Sequence, residues 1–346
     1  MSDAWRAVDG ILAHAASARI TPGASLCAAR REGNEWRFIA RTAGTLAWDD
    51  PRPVGEDSLY DLASVTKPFT AWAAARLAAR GEVDLHAPLS ALLPAATGAP
   101  VARLTLDAML SHRAGLAPWR PLYQATSPQH AGREETRGRV LHEALHEVPS
   151  PDGRAVYSDL GYILAGACLS SVTGLALDAL LARECLGDGL RYGPVAPGDC
   201  APTERCAWRG GVVRGEVHDE NAFALGGIAG HAGLFGTARA LCERGVAMLD
   251  ALRDDAPWAR AMLAPRDGGT HRLGWDTRSP RGSSAGTKMG PRTFGHLGFT
   301  GTSLWCDPDA EVVIALLTNR VHPTREGDGI RALRPAVHDA VMRALR

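Results

Sequence analysis

The sequence predicts an α+β fold: an antiparallel sheet flanked by terminal helices, with an all-helical lobe inserted into it. Three observations carry this expectation. The chain opens on a helical pattern followed by a strand hairpin. It closes on two strands followed by a helix. The text between is rich in Ala and Leu, with helical periods and few strand signals.

Residues 4–17 place Trp5, Val8, Ile11, Leu12 and Ala15 on one helical face. Pro22-Gly23 breaks that helix. Ser25–Ala29 and Trp36–Thr42 read as strands around a turn at Arg31–Asn34. Phe69–Ala79 is a helix closed by Gly81, and Leu104–Leu110 and Leu160–Leu169 are further helices. Residues 186–217, rich in Gly, Pro and charge, read as loop, and Arg281–Gly290 reads as a flexible surface loop. Thr302–Cys306 is a short strand, and Asp307-Pro308-Asp309 a turn. The unbroken apolar run Val312–Leu317 suits a strand buried on both faces. Leu333, Val337, Val341 and Leu345 recur every four residues and make a C-terminal helix. The expectation is one domain over residues 1–346. Its α/β lobe comprises 1–62 and 218–346, and its helical lobe 63–217.

Composition narrows the function. With 346 residues and 45% hydrophobic content the chain can bury a sizeable core. Its 38 basic residues match its 38 acidic ones, with no long run of one sign, so no nucleic-acid partner is expected. Seven cysteines at irregular spacing argue against a disulfide framework and for a reducing compartment. Cys200 and Cys206 lack metal-site spacing. No stretch approaches eighteen apolar residues, so no membrane span is expected. Met1–Trp5 carries no leader pattern, which makes a cytoplasmic location the default, or a periplasmic one if a leader was removed. No cofactor or metal is expected, and no signal sets the oligomeric state.

Three segments carry chemistry. Ser64-Val65-Thr66-Lys67 is an S-x-x-K at a helix start, and three residues is nearly one turn, so Ser64 and Lys67 share a face. A serine hydroxyl needs a neighbouring base, and a neutral Lys can serve. Tyr157-Ser158-Asp159 leads into a helix, where a Tyr near a cationic Lys is expected to have a lowered pKa and to accept a proton. Phe294–Ser303 is glycine-rich and runs into a strand, so its backbone can approach a ligand or another chain segment closely. Each also has a bland reading: an N-cap with a solvated lysine, a half-buried tyrosine beside a helix cap, a glycine-rich strand edge.

Together and in this order, the three resemble the motifs of the class C β-lactamases, D,D-peptidases and related esterases, whose pattern is S-x-x-K, then Y-S-N, then K-T-G or H-x-G. Met109–Leu116 resembles the family's LLSHTSGL, and Tyr157–Tyr162 its YSNLGY. Val217–Asn221 and Gly230–Phe235 resemble a subgroup that includes cell-wall-related hydrolases. The resemblance spans roughly residues 20 to 340. It implies the β-lactamase-like fold and a serine hydrolase in which Ser64 forms an acyl-enzyme. Lys67 and Tyr157 would shuttle the proton, and the N–H groups of Ser64 and Phe299 would form the oxyanion hole.

Two departures bear on substrate. Asp159 stands where Asn is usual, and a carboxylate near Lys67 favours its protonated form, which makes Tyr157 the expected proton acceptor. His296-Leu297-Gly298 stands where Lys-Thr-Gly is usual. Losing a hydrogen bond to a charged group costs about 1.5–3 kcal/mol, one to two decades in binding. The expected substrate-binding set is Asp159, His296, Gly298 and Phe299, acting on a small-molecule or peptide-like ester or amide. A weak β-lactamase and a catalytically silent binding or scaffold protein are the rivals. Arg320 or Arg325 can substitute for the missing cation. The pocket is expected from loops 117–135, 190–215 and 278–292. His218, Asp219, His231 and His112 read as structural, and the nine tryptophans as core or cleft lining.

Overall fold

A computed structural model describes residues 3–150 and 154–345. Helix α1 (Asp3–Ser17) leads into strands β1 (Gly23–Glu32), β2 (Glu35–Ala47) and β3 (Asp50–Pro53). Helices α2 (Thr66–Ala79), α3 (Leu106–Leu110), α4 (Glu134–Leu145), α5 (Asp159–Thr173), α6 (Ala238–Arg253) and α7 (Pro257–Leu263) follow. The chain ends on strands β4 (Asp276–Thr277), β5 (Phe294–Leu297), β6 (Ser303–Asp307) and β7 (Val312–Thr318), then helix α8 (Ile330–Ala344). The seven strands form one antiparallel sheet in the order β3-β2-β1-β7-β6-β5-β4, so the two ends of the chain meet at the β1–β7 pair. Ala24 there faces Thr318, and Arg30 faces Val312.

Alternation along the central strands separates two cores. Ala24, Leu26, Ala28, Ile314 and Leu316 pack with α1 and α8, whereas Cys27, Ala29, Val313, Ala315 and Leu317 pack with α6 and the other helices. The run Val312–Leu317 is therefore buried on both faces, as its lack of alternation predicts. At Gly245 of α6 an added Cβ would lie 2.5 Å from Val313 Cγ1, so this glycine lets the helix seat directly on the sheet.

Helix α2 is buried nearly all round, from Thr66 to Ala75, and carries no amphipathic stripe. Helices α4, α6 and α7 were not expected from the sequence. Arg281–Gly290 is the opposite of a free loop: Ala285 and Met289 are buried, and Asp339 accepts from the N–H groups of Thr287 (2.7 Å) and Lys288 (2.9 Å).

Candidate active site

Ser64 lies in a single 3₁₀ turn, Ala63–Val65, immediately before α2. Ala63 holds φ at +48°, a conformation an L-residue adopts at a cost, and neighbouring groups pin it there. Asp61 Oδ1 accepts from the Ala63 N–H (2.7 Å). Thr300 Oγ1 donates to Asp61 O (2.8 Å), and Thr302 Oγ1 donates to Leu62 O (3.0 Å). The β5–β6 turn thus grips the turn that presents Ser64.

Gly298 makes that grip possible. A Cβ there would lie 1.9 Å from Thr302 Oγ1 and 2.5 Å from Leu62 O. The close approach is to another chain segment. Leu297, Gly298 and Phe299 line a cleft of about 600 Å³ together with Ser64, Tyr157 and Asp159.

Lys67 sits one helical turn beyond Ser64 and is fully buried. Its Nζ lies 2.8 Å from Ser64 Oγ, 2.7 Å from Asp159 Oδ1 and 3.3 Å from the carbonyl of His231. Burial alone pulls the ammonium pKa down, but Asp159 and Tyr157 outweigh it and hold it above the ordinary lysine value. Lys67 is a cation in the resting site. Burial pushes the Tyr157 phenol up, against the pull of Lys67, and the balance is upward. The expected fall of the Tyr157 pKa is therefore reversed: losing solvent disfavours phenolate more than one shared cation favours it.

His112 brackets Tyr157. Its carbonyl accepts from the Val156 N–H (2.8 Å), and its Nδ1 accepts from the Ser158 N–H (3.0 Å). The two ring centroids stand 4.4 Å apart, and His112 itself holds φ at +62°. Burial, His271 and Lys67 keep this imidazole neutral, with its pKa well below the ordinary value.

His296 does not do what its place in the motif suggests. It is 5% exposed and is absent from the cleft lining, its Nδ1 lies 2.8 Å from Leu297 O, and its ring stands 6.0 Å from that of Tyr157. Burial first, then Lys67, pull its pKa down to about 3. It is a neutral backing group and offers a substrate no charge.

The rest of the wall comes partly from the expected loop 117–135 and the Arg320–Arg325 stretch, and partly from segments read as structural. Loops 190–215 and 278–292 contribute no lining residue among those described; Pro118 and Trp119 do, with His218–Glu220, His231, Ala232 and the stretch from Arg320 to Arg334. Asp219 Oδ1 lies 2.8 Å from His231 Nε2. Burial opposes the Asp219 carboxylate, but His231 and the Ala222 N–H hold its pKa below the usual range. Asp61 Oδ2 accepts from the His218 N–H at 2.5 Å. Phe299, 47% exposed, stacks on His218 at 5.7 Å and lies under the Arg320 guanidinium at 4.5 Å. Glu204, Cys206 and Glu220 lie close together, but the cation between the two carboxylates is Arg325, bonded to both. Asp61 and the His231 carbonyl were missed from sequence. The one local signal was the acid three positions before Ser64.

A family model described as Beta-lactamase matches residues 8–338. The N-acetylmuramyl-L-alanine amidase of Bacillus subtilis (strain 168) is 30% identical, over 79% of this chain and 70% of its own. A Salmonella paratyphi A protein named "Putative D-alanyl-D-alanine carboxypeptidase" is 26% identical, over 83% of this chain and 75% of its own. Among solved structures, EstCE1, a hydrolase with promiscuous acyltransferase activity, superposes with a TM-score of 0.75. It is 20% identical and covers 98% of each chain, a likeness of fold.

Proposed function

This chain belongs to the β-lactamase family of serine hydrolases, and we propose from that premise that it cleaves an amide or ester through an acyl-enzyme on Ser64. One observation carries the reading: in the floor of the cleft, Lys67 Nζ lies 2.8 Å from Ser64 Oγ and 2.7 Å from Asp159 Oδ1. A buried ammonium between a hydroxyl and a carboxylate is a proton store beside a nucleophile.

The Lys67–Asp159 pair works as a unit. Loss of one proton from Nζ leaves a neutral amine facing Ser64 Oγ, and Asp159 sets how readily that proton is lost. Ser64 Oγ then bonds to the acyl carbon while its proton passes to Lys67. The carbonyl oxygen takes the negative charge beside the N–H groups of Ser64 and Phe299. Tyr157, held as a phenol, gives its proton to the leaving nitrogen or oxygen as the scissile bond breaks, and recovers one from Lys67. Water reverses the sequence, releasing the acid and restoring Ser64. The upward Tyr157 pKa favours this order over one that starts from phenolate.

The two curated relatives are named for amide cleavage, which supports a peptide-like substrate above a simple ester. The neutral, retracted His296 argues against efficient β-lactamase action. The test is hydrolysis of p-nitrophenyl acetate and butyrate beside nitrocefin, with fluorophosphonate labelling, for wild type and Ser64→Ala. Ester turnover and labelling that vanish in the variant, with slow nitrocefin cleavage, are expected. Fast nitrocefin cleavage would establish the β-lactamase instead. Absence of Ser64-dependent turnover and labelling would point to the silent binding protein.

A further inference from the structure

Asp219 and His231 both line the cleft, and the acyl transfer uses neither side chain. His231 is 1% exposed, and its Nε2 lies 2.8 Å from Asp219 Oδ1. The same Oδ1 accepts from the Ala222 N–H at 2.7 Å, where Asp219 caps the short helix Glu220–Ala224. A carboxylate can only accept, so Nε2 carries the hydrogen between the two side chains. The other ring nitrogen, Nδ1, is buried without a partner. An apolar side chain would fill this space without that cost, so packing alone does not account for an imidazole here.

What the pair holds is main chain. The His231 carbonyl is the acceptor 3.3 Å from Lys67 Nζ. The chain on either side is tied down. Tyr192 Oη donates to Ala229 O (2.9 Å), Thr70 Oγ1 of α2 donates to Gly230 O (2.8 Å), and the Leu234 N–H donates to Thr66 Oγ1 (3.3 Å). Between these ties stand Gly230 and Gly233, which leave the main chain around His231 free to turn, so the His231 side chain supplies the anchor there. At 3.3 Å the contact with Lys67 is at the long end of a hydrogen bond, and a retreat of a few tenths of an ångström breaks it.

The carbonyl matters because of how many hydrogens Lys67 carries. As an ammonium, Nζ has one hydrogen for each of Ser64 Oγ, Asp159 Oδ1 and His231 O. As an amine it has two hydrogens and a lone pair. Asp159 and the carbonyl can only accept, so they take the two hydrogens. The lone pair is left facing Ser64 Oγ, whose proton it must receive as Oγ bonds to the acyl carbon. Tyr157, the other proton carrier beside Nζ, keeps its proton for the leaving group. We propose that Asp219 and His231 are positioning residues: their side-chain bond fixes the His231 carbonyl, and that carbonyl aims the Lys67 lone pair at Ser64. This rests on the acyl-transfer reading of the same cleft. Without the carbonyl the amine can turn a hydrogen toward Ser64 and its lone pair away, and the base is present but misdirected.

The experiment follows p-nitrophenyl acetate turnover against pH in two matched pairs of variants. Asp219→Ser still caps the helix but is too short to reach the imidazole, whereas Asp219→Asn keeps an oxygen at Oδ1. His231→Ala removes the donor, whereas His231→Gln keeps an amide N–H. Asp219→Ser and His231→Ala should each lose about tenfold or more in kcat with little change in KM, the worth of one hydrogen bond. The alkaline rise of kcat/KM should keep its midpoint and lose height, because the titratable groups facing Lys67 (Asp159, Tyr157, Tyr162, His112 and His296) are untouched. Asp219→Asn and His231→Gln should recover most of the rate. Equal loss within each pair, a midpoint moved by about one unit or more, or unchanged kcat throughout would each overturn the positioning role. If Asp219→Ser does not fold, the His231 pair decides. Should no ester turn over, NMR of the lysine ammonium groups decides. Lys67 and Lys288 are the only lysines in the chain, so 15N-lysine labelling gives two signals, which Lys288→Arg assigns. A buried, held ammonium exchanges its hydrogens slowly and gives a sharp signal, unlike exposed Lys288. A Lys67 signal that broadens in His231→Ala and returns in His231→Gln upholds the positioning while the acyl-transfer reading falls. A signal indifferent to the pair, or no sharper than that of Lys288 in the wild type, overturns it.

Discussion

Lys67 Nζ and Asp159 Oδ1 are 2.7 Å apart, with the lysine fully buried and the aspartate at the cleft wall. This contact is the largest of the influences that favour the Lys67 cation. With Tyr157 it outweighs a burial penalty that would otherwise favour the amine.

Asp159→Asn removes the attraction and leaves the penalty, so the Lys67 pKa should fall. If neutral Lys67 is the form that deprotonates Ser64, wild-type kcat/KM rises into the alkaline range, and the variant's rise should come at lower pH, by one unit or more. The pH–rate profiles of both proteins check this. Superimposable profiles would remove Asp159 from control of the base.

Lys67→Met replaces the ion pair's buried partner by an apolar chain of similar length. Turnover should drop by about three decades or more. The melting temperature should fall as well, because removing one partner of a buried pair leaves the Asp159 carboxylate uncompensated. Lys67→Met/Asp159→Asn, which removes both charges, should recover much of the stability and none of the activity; activity that returned with the stability would make Lys67 structural.

His112→Ala leaves the buried Ser158 N–H without its acceptor, a cost of about 1–3 kcal/mol, and frees one neighbour of Tyr157, while Val156 keeps its bond to the main-chain carbonyl of residue 112. kcat should fall about tenfold or more with little change in KM. His112→Asn should recover much of it, since Asn tolerates φ near +62° and presents an acceptor oxygen. Equal loss in both variants would show that the ring itself, packed on Tyr157 and Tyr162, is what matters.

Gly298→Ala puts a methyl group into the contact between the end of β5 and Leu62. The strand must retreat from the Ser64 turn, at about 1–3 kcal/mol of stability. Activity should fall more than the melting temperature implies, because the Phe299 N–H moves with the strand. Full activity in a folded variant would show that the turn accommodates the methyl.

Acid should begin to destabilise the protein before its carboxylates titrate. His338, fully buried, has its pKa lowered to about 4 by burial, and His296 is lowered to about 3. Folded-state values below the unfolded one of about 6.5 mean that the unfolded chain binds the extra protons. The stability these neutral rings contribute is complete above about pH 6.5. It is lost as pH falls toward their folded values, on the order of a few kcal/mol in sum. Urea unfolding at pH 7.5, 6, 5 and 4.5 measures it; a flat dependence would place both rings in contact with solvent.

Ser64 and Lys67 were legible because their relation is local: three positions across the helical turn that leads into α2 fix a shared face whatever surrounds them. The Val312–Leu317 strand and the terminal helices were legible because side-chain periodicity reports burial directly. Helix α2 was read over Phe69–Ala79, but its burial on all sides was not, since a helix without a polar face has no stripe to report which side is covered. Tertiary structure alone set the sign of the Tyr157 shift, because burial is not written in the neighbouring residues. It alone brought the His231 carbonyl to Lys67 across 164 positions, withdrew His296 behind the wall, and oriented Arg320 and Arg334 on carbonyls of the β5–β6 turn. The sequence by itself determined which groups can do the chemistry. Their charge states and the ligand they face follow from solvation and long-range packing, which exist only once the chain has folded.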